Sequence, residues 1–321
     1  MAGLLTLPLT SFTSYRNMEQ HTDFEVIIVG GSYAGLSAAM SLGRSLRNVL
    51  IIDSGLPCNR QTPHSHNFLT QDGEKPSAIA AKGKAQVLAY ETVTFHHGIA
   101  ISGKEIENGF EVTTEKGAKF AAKKLIFATG IKDIMPDIKG FAACWGISVI
   151  HCPYCHGYEV RGLKTGLLAN GERAFHLSGM INNLTDDLTL LTNGKPDFDT
   201  GQLTTLENNG ISIEDRAIDE IIHENGYVKS ALFKDGTTRD FEAIYAAIPF
   251  EQHSDIPATI GCELTEFGYL KVDDFYKTTV PGVYACGDNT AMMRSVANAV
   301  FAGNMTGAMV NKELTDERFL P

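Results

Sequence analysis

The sequence predicts an α/β protein of two three-layer, doubly wound domains, the second inserted into the first. Three observations predict it. An apolar strand, a glycine turn, a helix and a second apolar strand follow one another between residues 24 and 53, and the same order returns between 164 and 194. Each of these units is followed by short alternating segments of strand type. A last strand and a long apolar helix, residues 278–314, have no counterpart after the second unit, so the end of the chain is expected to return and complete the first sheet.

Residues 1–23 read as a loose extension. The stretch "MAGLLTLPLTSF" has no basic n-region and is broken by Pro8, which argues against a signal peptide, and Met18 is an alternative initiator. The first domain is assigned residues 24–135 and 250–321, and the inserted one residues 136–249. "FEVIIVGG" is a short β-branched run closed by glycines, "AGLSAAMSLGRSL" has helical spacing, and "NVLIID" is a second buried strand. A His- and Pro-rich loop (54–76) leads to a helix near Ser77–Ala89, then to a β-meander from Val93 to Glu115 and the buried strand "KKLIFATG". The second unit is "KTGLLANGERAFHLSGMINNL" with "DLTLLTNG", followed by "ISIED", "AIDEIIHENG", "YVKSALFKDG" and "FEAIYAAI" as short strands.

The first turn, "VGGSYAG", stands where the dinucleotide fingerprint G-x-G-x-x-G of a Rossmann-like domain belongs. Gly30 permits the tight turn, Gly35 lets helix and strand approach, and Ala34 lies in the same turn. Ser32 takes the middle glycine position, where its small side chain either donates a hydrogen bond to phosphate or crowds it. Asp53 ends the second strand, placed to accept from a ribose hydroxyl. "TTVPGVYACGDN" then delivers Gly287 and Asp288 to the start of a helix, where a carboxylate can bond a ribityl hydroxyl and helix amides can face a second phosphate. FAD spans both ends of such a site. The second turn, "LLANGERAFHLS", has Ala169, Gly171 and Ala174 at the three positions. Glu172 and Arg173 add bulk and charge, and "LTNGK" ends the next strand without an acid, so binding of NADPH or NADH stays open.

"HCPYCHG" holds Cys152 and Cys155 two residues apart, with His156 directly after. Zinc needs four ligands, and the other cysteines (Cys58, Cys144, Cys262, Cys286) form no second pair. A disulfide closing so short a loop removes little unfolded-state entropy. Redox chemistry remains, and the spacing suits it, since the pair can open and close within one helical turn. His156 either moves the accompanying proton near neutral pH or merely caps the turn or faces solvent.

Composition narrows the class. The 321-residue chain is 43% hydrophobic and 20% charged, as a folded protein is, and its formal charge of −11 without a basic block argues against nucleic acid. No run is long enough for a bilayer-spanning helix. Six cysteines are too few for a disulfide-stapled secreted scaffold, and a cytoplasmic protein with one functional pair is expected.

"VGGSYAGLSAA", "IFATG", "CPYCHG" and "VPGVYACGD", in that order, resemble the low-molecular-weight thioredoxin reductases of the pyridine nucleotide–disulfide oxidoreductase family. The resemblance covers Phe24 to Leu314. It implies an FAD-dependent enzyme in which Cys155 faces the flavin and Cys152 attacks the substrate, with a thioredoxin-like protein or a small-molecule dithiol or disulfide as partner, and a homodimer. It also implies that Asn67 in "HSHNFL" approaches the flavin and that Thr129 and Gly130 lie against the FAD. Arg294 either neutralises charge near the flavin or caps surface acids. Where thioredoxin reductases usually have Asp after the second cysteine and a basic clamp for NADPH, this chain has His156 and no clamp. Cys-x-x-Cys-His is similar to the dithiol oxidases of gliotoxin- and holomycin-type natural products, which pass electrons to oxygen. A ferredoxin-fed reductase and a flavoprotein sensor without turnover are the further alternatives.

Overall fold

A computed structural model of the chain describes residues 24–320; the N-terminal extension expected over residues 1–23 lies outside the described residues. The first unit is β1 (Phe24–Val29), α1 (Tyr33–Arg44) and β2 (Val49–Asp53), followed by α2 (Pro76–Val87), β3 (Val93–His97), β4 (Ala100–Ile106), β5 (Gly109–Thr114) and β6 (Lys119–Phe127). After β7 (Ile131–Asp133), α3 (Phe141–Cys144), β8 (Val149–Ile150) and α4 (Pro153–His156), the second unit runs through β9 (Thr165–Leu168), α5 (Gly171–Asn182), β10 (Leu188–Leu191), α6 (Thr200–Asn208) and β11 (Ser212–Glu214). Then come β12 (Ile218–Glu224), β13 (Tyr227–Phe233), β14 (Thr238–Asp240), β15 (Ala243–Ala246), β16 (Phe250–Gln252) and α7 (Ile256–Thr259). β17 (Val283–Ala285) and α8 (Val296–Phe319) end the chain.

The first sheet has parallel strands in the order β3-β2-β1-β6, with β17 parallel to β6 and the β4-β5 hairpin antiparallel to the start of β6. The late strand of the sequence therefore does return to the first sheet. The second sheet is wholly parallel, β11-β10-β9-β15-β8, and carries the antiparallel β12-β13-β14 as a separate layer. Each sheet has an apolar core on both faces, which makes each domain three-layered. The two crossings between domains are β7 and β16, and they pair with each other, Ile131 to Gln252 and Asp133 to Phe250.

Two local readings differ from the sequence expectation. β3 is the parallel edge strand of the first sheet, Val93–His97 against Val49–Asp53, rather than the start of the meander. Its burial does not alternate cleanly, so periodicity could not separate it from the hairpin that follows. α6 was not expected; its start is fixed by a capping box in which Asp199 accepts from the Gln202 amide and Gln202 accepts from the Asp199 amide.

α8 lies along α1 because glycines remove the side chains between them. A Cβ on Gly303 would sit 2.0 Å from the Ala34 carbonyl oxygen, and one on Gly307 2.6 Å from that of Ala38. This contact brings the start of α8 beside the start of α1, so the two glycine-bearing turns share one cleft.

Candidate active site

The first turn is built for close approach. Gly30 has φ +103°, a conformation open to glycine, and a Cβ there would meet the Ala128 carbonyl oxygen at 2.2 Å. A Cβ on Gly35 would lie 1.8 Å from the Gly30 oxygen, so strand and helix touch as expected. Ser32 precedes α1 in extended conformation with no capping bond from its side chain, and the first intrahelical bond runs from the Leu36 amide to the Ser32 oxygen (2.8 Å). The earlier amides of α1 are thus left as donors for an anion. Asp53 accepts from the Gly31 amide (2.8 Å) and the Gly55 amide (2.9 Å), which holds its carboxylate against the turn.

At the second turn Gly287 has φ +92° and lies over Ala34, whose Cβ would be 3.0 Å from a Cβ on Gly287. Asp288 follows. Burial raises its carboxyl above the usual range, and Arg294, with its Nε 3.7 Å away, partly offsets this. Arg294 is itself clamped by Asp133 of β7, through two bonds of 2.8 and 3.0 Å. It neither faces bulk water nor caps surface acids, since its side chain is 14% exposed and that of Asp133 9%. Thr129 accepts a 3.4 Å bond from the Asn289 amide group, whose oxygen is buried without a partner, and Gly130 has φ +66°. Donors at one helix start, a carboxylate at the other and close-packed glycines between them fit FAD.

The structure places Cys58 in the same cleft, a residue that sequence reasoning left among the spare thiols. The residue as a whole is exposed, but the protein packed around its sulfur pushes the thiol up to about 11, and Asp288, Arg294 and Asp133 are the charges that reach it. Asn67 is exposed on its loop, with φ +57° and its amide donating to Asp72 (2.7 Å).

The redox pair sits at the start of the one-turn α4, directly after β8 has joined the second sheet. Both thiols are free, with their Sγ atoms 2.8 Å apart, and Cys155 Sγ lies 3.9 Å from the Arg294 carbonyl oxygen. The cysteines of the inserted domain therefore meet the residue that leads into α8 of the first. They are not equivalent. A hydrogen bond from the Cys155 thiol lowers Cys152 to about 7 despite burial, helped by the Cys155 and Tyr154 amides and by Arg294. Cys155 is driven far above the ordinary range by its bond to Cys152, by burial and by the Cys152 and Asp288 charges. Near neutral pH the thiolate of the pair forms at Cys152 rather than at Cys155.

His156 has both ring nitrogens buried and without a hydrogen-bond partner, and burial lowers its pKa, so the ring is neutral at pH 7. The charges that reach it belong to His66 and Glu159. His66 Nδ1 lies 3.5 Å from Glu159 and 3.7 Å from Asp72. His151, on the other side of the pair, is held down to about 4 by burial and by Arg294. No periodicity or motif in the sequence marks Glu159, Asp133 or Cys58, because each acquires its neighbours only through tertiary contact.

Comparison with known proteins agrees with this geometry. The pyridine nucleotide-disulphide oxidoreductase family matches residues 24–303. The chain belongs to that family. It is 32% identical to the thioredoxin reductase tcpT of Claviceps purpurea over 90% of this chain and 94% of the relative. An oxidoreductase from Agrobacterium tumefaciens superposes with a TM-score of 0.85 at 36% identity, covering 91% and 98% of the two chains. HlmI superposes with a TM-score of 0.86 at 27% identity, covering 92% and 93%. The protein is accordingly an FAD-dependent disulfide oxidoreductase of the thioredoxin reductase-like kind. Among the described residues no helix is long and apolar enough to cross a membrane, and no group of His, Cys, Asp or Glu is arranged to hold a metal.

Proposed function

We propose that this member of the family is a dithiol oxidase, taking electrons from a small-molecule or protein dithiol through Cys152 and Cys155 rather than from NADPH or NADH. One observation carries the reading. The start of α5, where a nicotinamide dinucleotide would place its pyrophosphate, is filled from within. Asn170 accepts from the amides of Gly171 and Asp197 (both 2.9 Å) and donates to the Lys195 oxygen (2.9 Å). The Asp197 carboxylate stands 3.4 Å from where a Gly171 Cβ would be, and Glu172, in the first turn, is fixed by Gln202 (2.7 Å). Two carboxylates at a helix start satisfy its dipole and repel phosphate.

In this reading Gly30, Ser32, Ala34, Gly35, Asp53, Thr129, Gly130, Gly287, Asp288 and Arg294 hold FAD, with Asn67 closing over it from the loop. Residues 136–249 act as the carrier of the redox pair, and the enzyme works as a homodimer. Bound FAD would supply the two-electron acceptor for the reduced pair, with molecular oxygen as the terminal oxidant. A substrate thiolate attacks Cys152 Sγ of the oxidised pair, forming a mixed disulfide while Cys155 leaves with the electron pair. The second substrate thiol attacks the first substrate sulfur and expels Cys152 as thiolate, completing the substrate disulfide. His156, neutral at pH 7, takes the proton of the attacking thiol.

A second reading, reduction of a thioredoxin-like protein or a small disulfide at the expense of NAD(P)H, is favoured by the name of the Claviceps relative. Anaerobic titration of the FAD-loaded protein separates the two. Bleaching of the flavin by dithiothreitol, its recovery in air and indifference to NADPH and NADH are expected. Bleaching by a stoichiometric amount of either nucleotide would overturn the oxidase.

A further inference from the structure

Turnover of a cysteine pair moves two protons with its two electrons, and the ring that stands beside the pair has nowhere evident to send them. Both nitrogens of His156 are buried and unpartnered. The Tyr245 hydroxyl, on β15, is also buried without a partner and lies within the electrostatic reach of Cys152 and Glu159. Beyond His156 stand His66, from the loop of the FAD-binding domain, and Glu159, three residues after His156 in the inserted domain. Solvent exposure rises along this line, 19% for the His66 side chain, 38% for Glu159 and 68% for Asp72.

We propose that His66 and Glu159, one from each domain, form the proton exit of His156. The proposal rests on the dithiol reading above. When the substrate S–H bond breaks, its sulfur bonds to Cys152 as the Cys152–Cys155 bond opens, and one nitrogen of His156 receives the proton. The other nitrogen has no partner within hydrogen-bond reach, so a turn of the ring or an entering water carries its proton to His66. His66 gives its proton to Glu159, 3.5 Å away, which releases it to solvent, and all groups return to their starting state. The charges surrounding the route are those of Asp72 and Glu159 on His66, of His66 and Glu159 on His156, and of Arg294, Asp133 and Arg173 on His151, which itself neighbours His156. The His64 ring, 6.4 Å from that of His66, is tied to the Gly73 oxygen at 2.8 Å. Because His66 and Glu159 come from different domains, the exit exists only in the arrangement that also brings Cys155 to Arg294. Proton release is thereby linked to the flavin-facing position of the pair.

The test uses FAD-loaded protein with His66→Gln and, separately, Glu159→Gln. Anaerobic bleaching by dithiothreitol is followed by stopped flow across pH, in H2O and D2O. Each variant is expected to slow bleaching roughly tenfold or more, less than the ~100-fold or more of a directly positioned acid or base because these groups act through His156, with an altered pH profile and partial rescue of His66→Gln by added imidazole. The pH dependence of Cys152 alkylation and the FAD content should stay as in the parent, which a general loss of structure would not allow. Rates within twofold of the parent with the same pH profile in both variants would overturn the exit. Should the parent be bleached by NADPH and not by dithiothreitol, the oxidase reading falls. The exit is then read in the opposite direction, as slowed NADPH-driven reduction of a small aromatic disulfide by the same variants, and unchanged rates there overturn it.

Discussion

Removing the Cys155 thiol should reverse the order of reactivity with pH. Cys152 is held at about 7, against an ordinary 9.0, and the largest cause is the hydrogen bond from Cys155 at 2.8 Å. In Cys155→Ala that donor is gone, burial continues to oppose the charge, and the thiol moves back toward 9.0. At pH 7 the thiolate fraction then drops from about one half to about 1%, roughly 50-fold. The surviving thiolate is more nucleophilic: a Brønsted coefficient of ~0.4–0.5 over two pH decades gives about eightfold. The net expectation is attack on a small aromatic disulfide about sixfold slower than the parent at pH 7, equal near pH ~8, and severalfold faster at pH ~10. The assay is the rate of the first thione released, with the modified cysteine mapped by mass spectrometry. A serine at 155 keeps a donor and should fall between the two. Curves that do not cross, with the variant midpoint still near 7, would refute the reasoning and assign the acidity to the α4 amides and Arg294 instead.

Four further outcomes are expected. Gly35→Ala places a methyl 1.8 Å from the Gly30 oxygen, so the purified variant should lose its yellow colour while Cys155→Ala keeps it. Asp197→Ala with Glu172→Gln removes two carboxylates from the start of α5 and should raise NADPH affinity severalfold or more, read by fluorescence quenching. Glu313 is held near 2, since bonds from Lys124, Lys277 and Tyr284 outweigh burial. Its folded value lies below the unfolded 4.5, so its contribution is complete above about 4.5 and disappears as pH falls toward 2. Glu313→Gln should cost about 1–2 kcal/mol in urea denaturation at pH 7, after allowance for its partial exposure, and nothing near pH ~2. His156→Asn should slow bleaching by dithiol. In the parent, beyond the decline that follows the dithiol's own thiolate, the further loss of rate from His156 protonation should come below the ordinary histidine range, because burial lowers the His156 pKa.

Much of this fold was legible because it obeys local rules. β-branched runs bounded by glycine gave β1, β2 and β9, and helical spacing gave α1, α5 and the core of α8. The repetition of one unit, with β17 and α8 left over, gave the insertion itself. What was illegible depends on partners far away in sequence. β3 differs from a hairpin strand only in pairing with β2, and the α1–α8 approach depends on Gly303 and Gly307 meeting Ala34 and Ala38. In the site, Cys152, Cys155 and His156 announce themselves by spacing. Asp133 is an unremarkable acid until β7 carries it to Arg294 161 residues on, and His66 is one of two loop histidines until the domains close it against Glu159.

The asymmetry of the pair does not by itself set direction. A thiol of low pKa is both a ready nucleophile and a good leaving group. For a reductase, Cys152 opens the reaction by attacking a disulfide; for an oxidase, it closes the reaction by leaving the finished one, so acidity at Cys152 serves either. Cys155 serves either direction as well. A negative charge on its sulfur is opposed by its bond to Cys152, by burial and by the Cys152 and Asp288 charges, and is favoured by Arg294. Electrons that pass through Cys155 rest there only briefly, whichever way they travel, and the donor and acceptor set the direction. The preference for a dithiol donor therefore rests on the carboxylates at the start of α5 and not on the pair. Arg294→Gln should slow bleaching by dithiol, by removing a charge that stabilises the Cys155 thiolate in passing. Acceleration by that substitution would mean that Arg294 restrains electron transfer, and the part given to its charge would fail.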